Sequence, residues 1–78
     1  MIDRRIADKL FVKVMSQIEK PYEEECNMAI DVFLEEEFSS DELKRMLWYV
    51  LGHVKESARD SIQAEIEKEI GSLRDALK

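Results

Sequence analysis

Ile2, Ile6, Leu10, Val14 and Ile18 recur at four-residue steps, and Ala7, Phe11 and Met15 widen the stripe. That spacing predicts an amphipathic helix over 3–19. Asp8, Lys9, Lys13, Ser16 and Lys20 fall opposite, with Val12 an apolar residue among them. Asp3 follows Ile2 as the expected N-cap. Pro21 then suits a first helical position, where its missing N–H is not needed. Glu23, Glu24 and Glu25 follow, where the positive end of a helix dipole favours carboxylates. A second helix is expected over 21–37. Its main apolar face carries Tyr22, Cys26, Ala29, Ile30, Phe33 and Leu34, and Met28 and Val32 form a smaller second patch. So short a link predicts an antiparallel helical hairpin.

The next boundary is strongly marked. Ser39 reads as an N-cap, Glu42 completes a capping box, and Phe38 with Leu43 matches a hydrophobic staple. A third helix is expected over 40–77. Its apolar positions are Leu43, Leu47, Leu51, Val54, Ala58, Ile62, Ile66, Ile70, Leu73 and Leu77. A continuous helix of that length spans about 55 Å, whereas a compact chain of this size is roughly 30 Å across. The helix must therefore break near Gly52 or Gly71, protrude, or pack on a second chain. Gly52 lies inside the apolar block 46–51 and is read as allowing close helix approach. Gly71-Ser72 is a candidate stop, with Ser72 capping a short terminal helix.

Residues 46–51 are apolar all round, which a helix buried on one side does not need. From Arg59 onward the stripe narrows to a seam that suits one partner helix. The expected architecture is all-α and a single domain over 1–78. It is a three-helix unit, with a hairpin packed on a long C-terminal helix, that pairs as a helical-bundle homodimer. The self-interface candidates are Met46, Trp48, Tyr49, Ile62, Ile66, Ile70, Leu73 and Leu77, because surplus apolar helix surface seeks burial. Trp48 and Tyr49 are residue types enriched at interface hot spots.

Charge changes this picture. The net charge is −6, yet residues 21–43 hold nine acids and no base, while the flanking segments are slightly positive. Direct nucleic-acid binding is not expected of such a surface, and neither is a helix–turn–helix reader whose second helix opens with Asp41 and Glu42. A basic protein partner fits better. Glu35, Glu36 and Glu37 oppose the dipole at the end of the second helix, which marks them, with Asp41 and Glu42, as an acidic partner surface. The apolar run 46–51 is too short to span a membrane. The single cysteine excludes an internal disulfide. With no signal-peptide pattern at the start of the chain, the expectation is a cytoplasmic protein.

Catalytic chemistry finds little support. The one histidine, His53, lacks a glutamate three residues before it, so the Glu-x-x-His pattern of bundle metal sites is missing. Cys26 follows three glutamates, which disfavour a reactive thiolate, and it falls on an apolar face. Two glycines cannot build a phosphate loop. No cofactor and no catalytic residue is expected. The leading reading is a non-enzymatic interaction module, a regulator or adaptor acting as a homodimer. The second is an acidic charge-mimic, an inhibitor or immunity-type protein against a basic nucleic-acid-binding enzyme or toxin. The third is a metal- or redox-active bundle using His53, Glu56 and Cys26.

Overall fold

In the computed structural model, which describes residues 3–77 apart from the side chain of Leu77, the Asp3 carboxylate caps the first helix. It accepts from the Arg5 backbone N–H at 2.9 Å. Helix α1 spans Arg4–Met15 and buries Ala7, Leu10, Phe11 and Val14. Val12 is exposed, and Ile6 sits at the stripe's edge. Ile2 lies outside the described residues. The expected helix over 3–19 is four residues too long at its C-terminal end. Ile18 leaves helical geometry to form an isolated antiparallel bridge with Val54. Glu19 N–H donates to His53 O at 3.0 Å and Lys55 N–H to Gln17 O at 2.9 Å, so the two connectors clasp each other. Both β-branched side chains are buried there, and extended backbone suits such residues.

A 3₁₀ turn, Lys20–Tyr22, carries Pro21 and leads into α2, Glu23–Glu35. Cys26 and Ile30 are its buried residues. Phe33 meets Phe11 edge-on at 5.8 Å and stacks on Phe38 at 4.7 Å. The helix stops two residues before the expected 37. Glu36 is extended, with φ −111° and ψ 164°. No base lies in the last turn to offset the dipole there, so ending the helix keeps two further glutamates off its negative end. Arg4 partly compensates by donating to the Glu36 carbonyl at 3.2 Å.

The capping box forms as expected. Glu42 N–H donates to Ser39 Oγ at 3.1 Å, and Ser39 N–H donates to Glu42 Oε1 at 2.9 Å. Helix α3 then runs Ser40–Leu51 and stops at Gly52, so the continuous helix over 40–77 does not form. Gly52 is the C-cap of α3 and not a helix-approach site within a longer helix. Helix α4 begins at Glu56 and ends at Ile70. Arg59 reaches back across the break and donates to Val54 O at 3.3 Å and Gly52 O at 3.5 Å, occupying carbonyls freed at the end of α3. The fold's extents of 31 × 24 × 22 Å show why the chain turns here: the uninterrupted helix is longer than any axis of the molecule.

Gly71 ends α4 with φ +85°, a left-handed region open to glycine. The terminal element is a 3₁₀ helix, Leu73–Leu77. Its Leu73 N–H donates to Glu67 Oε2 at 2.8 Å, the place in which Ser72 was expected to act as a cap. The segment packs on α3, and Arg45 Nε donates to Ala76 O at 3.0 Å. The architecture is all-α, with α1 in contact with α2, α3 and α4.

The core draws on all four α-helices and the terminal 3₁₀ helix. Leu43, Leu47, Val50 and Leu51 of α3 meet Leu10, Phe11 and Val14 of α1, together with Ile62 and Ile66 of α4 and Leu73. Ile62, Ile66 and Leu73 are buried in the chain's own core, and Met46, Trp48 and Ile70 pack partly buried against it. With α4 and the terminal 3₁₀ helix packed on the rest of the chain, the apolar surface that a second chain was expected to cover is largely covered from within. Tyr49 alone among the candidates with described side chains stays exposed. The Leu77 side chain lies outside the described residues.

Candidate protein-interaction surface

Helix α2 has two faces. The inner one carries Cys26, Ile30 and Phe33 into the core. The outer one carries a ridge, Glu25, Met28, Val32 and Glu35, at steps of three and four, so these residues are neighbours along one helix surface. Met28 and Val32 are each 64% exposed. The ridge is about 15 Å long, with carboxylates at both ends and an apolar middle. Glu24 and Asp31 flank it and are exposed too.

All nine acids of residues 21–43 are exposed. Among the described residues none lies within 4 Å of a lysine or arginine nitrogen; the ion pair seen there is Lys13–Glu65 at 3.4 Å. The expected acidic candidates divide by role. Glu35, Glu36 and Glu37 cluster at the end of α2 and in the loop after it. Asp41 and Glu42 open α3. Glu42 is committed to the cap, and hydrogen bonds from Ser39 hold its carboxyl below the usual carboxylate range.

At the N-terminal end of the ridge stands an aromatic cluster. Tyr22, expected on the inner face of the second helix, sits instead in the 3₁₀ turn before α2 and is 40% exposed. It stacks on His53 with centroids 4.5 Å apart and planes at 26°. Tyr49, 42% exposed, meets the same imidazole edge-on at 5.3 Å and 82°. Its hydroxyl donates a long hydrogen bond to Glu25 Oε1 at 3.4 Å. Partial burial, then the charge of Glu25, raises the Tyr49 phenol above the ordinary tyrosine range. Sequence reasoning singled out Tyr49 but missed its partners, because Tyr22 and His53 are 31 positions apart and only the connector clasp joins them.

The remaining candidates are Cys26, His53 and Glu56. Cys26 is fully buried. Burial, then the neighbouring Glu25 charge, raises its thiol above the ordinary range. No hydrogen bond joins Cys26 to His53, and among the described residues no group of three or more His, Cys, Asp or Glu is placed to hold a metal. A shallow cleft of about 180 Å³ lies between α3 and α4, lined by Trp48, Leu51, Gly52, Arg59 and Gln63. Its one cation is Arg59, already engaged with the end of α3. No helix among the described residues is long and apolar enough to cross a membrane. Family models, curated proteins and solved structures were compared with the chain, and none matches.

Proposed function

We propose that the chain is a small non-enzymatic interaction module, a regulator or adaptor, that presents the outer face of α2 to a basic protein. The observation that carries this reading is the run of nine exposed carboxylates with no lysine or arginine nitrogen within 4 Å among the described residues, enclosing the exposed Met28 and Val32. Unpaired like charge is held on one surface at some cost in self-repulsion, and a cationic partner relieves it. The acids steer and orient the encounter, while Met28 and Val32 supply apolar contact area. A partner that otherwise engages nucleic acid fits this chemistry, which keeps the charge-mimic reading as a special case.

Self-association was the first expectation. Its main apolar residues now lie in the core, and pairing two α2 faces would set Glu24, Glu25, Asp31 and Glu35 against their own copies. The reading therefore puts a different, basic chain on α2. The test is capture from cell extract by the wild-type protein, by a Glu35→Gln, Glu36→Gln, Glu37→Gln variant, and by a Met28→Ser, Val32→Ser variant. A captured protein with a basic surface, released by moderate salt and lost with either variant, is the expected result. Capture indifferent to both variants and to salt would sink the reading.

A further inference from the structure

The aromatic cluster at the head of the ridge is open to solvent, with Tyr22 40% and Tyr49 42% exposed. Tyr22 lies flat on His53 and Tyr49 stands edge-on to it, so the two tyrosines offer ring faces in different directions. Among the described residues no lysine or arginine of the chain stacks on either ring. The Glu25 carboxylate lies 3.4 Å from the Tyr49 hydroxyl and is itself exposed. Tyrosine faces attract cations within about 6 Å of the ring centre. A carboxylate beside them adds a charge-assisted hydrogen-bond acceptor. The rings are also positioned firmly: Tyr22 follows Pro21, His53 is held by the backbone clasp through its carbonyl, and Tyr49 sits in the last turn of α3.

We propose that Tyr22, Tyr49 and His53, together with Glu25, form the anchoring site for an arginine side chain of the basic partner. The guanidinium plane lies against a tyrosine face while its N–H groups donate to the Glu25 carboxylate. Arginine fits better than lysine because its planar fork stacks on aromatic rings and matches a carboxylate in two-point fashion. This inference rests on the acidic-face reading and deepens it. The distributed acids attract any cation, whereas the aromatic cluster selects one side chain and fixes the partner's register. Aromatic residues at such positions are where binding energy concentrates in protein interfaces.

The test is a titration of the ¹⁵N-labelled full chain with acetylated, amidated tetra-arginine and with the matching tetra-lysine, at low ionic strength, read from backbone amide shifts. Saturable shifts at Tyr22, Glu25, Tyr49 and His53, tighter for tetra-arginine, are expected. Tyr22→Leu should weaken tetra-arginine by about two- to fivefold, the worth of an exposed cation–π contact, while Tyr22→Phe keeps the ring and the affinity. Glu25→Gln, an exposed substitution outside the core, should weaken binding too and covers the case in which Tyr22→Leu loosens the fold. Shifts confined to Glu24, Met28, Val32 and Glu35, with equal binding of both peptides, would overturn the anchor and leave the acidic face standing. Absence of shifts anywhere would overturn both.

Discussion

Glu42 shows how one side chain serves structure inside a surface otherwise available for binding. Its carboxylate accepts from Ser39 N–H at 2.9 Å at the start of α3, and this bonding holds its acid form below the usual range. The sign follows directly. A carboxyl whose folded pKa is lowered stabilises the fold above its unfolded pKa, and that contribution is lost as pH falls through the folded value. Glutamine at the same position keeps the cap without titrating. Thermal melts from neutral to acid pH should therefore show a shallower acid-side loss for Glu42→Gln than for wild type; identical profiles would remove Glu42 from the acid response. The capping box was legible because its four residues are adjacent in the chain. Tyr22 was misplaced for the opposite reason, since its setting depends on where His53 comes to rest.

The helices themselves divide between what local signals mark and what they do not. The start of α3 matches expectation because a capping box acts within a few residues, and of the two glycines offered as alternative break points both end a helix, Gly52 as the C-cap of α3 and Gly71 as that of α4. The break after α3 is marked more weakly than the start of α3: Gly52 is the signal on one side, but the N-cap of α4, Lys55, makes no side-chain cap, and the apolar stripe passes through Val54 without a gap. Helix α2 ends early, against an uncompensated dipole. Glu35 closes it and Glu36 follows as the C-cap. Replacing Glu35, Glu36 and Glu37 with glutamine should therefore raise stability, by about 0.3–1 kcal/mol for each charge that senses the helix end, while weakening partner capture. A variant more stable in denaturant titration yet poorer in binding would mark these glutamates as functional; a loss of stability would contradict the dipole argument.

For the molecule as a whole, folding α4 back decides which apolar residues remain to be shared. Ile66 is fully buried, so Ile66→Ala should cost about 2–5 kcal/mol, and Ile66→Asp should unfold the chain. Light scattering over a concentration series is expected to give the single-chain mass of 9.2 kDa for the wild-type protein. A dimer that Ile66→Asp converts into a folded monomer would restore the seam to an interface and contradict its burial.

The chain's own pattern sufficed for the all-helical class, the boundary at Ser39, the burial of Cys26 and the concentration of acid in one segment, because each is set by near neighbours or by composition. Three-dimensional packing was needed for the rest. The bridge between Ile18 and Val54 shortens α1 and lies at the turn from α3 to α4. That turn draws the apolar seam into the core and brings Tyr22, His53 and Tyr49 together beside Glu25. These are contacts between residues far apart in the chain, and helical periodicity records only which way a residue faces, not what it will face.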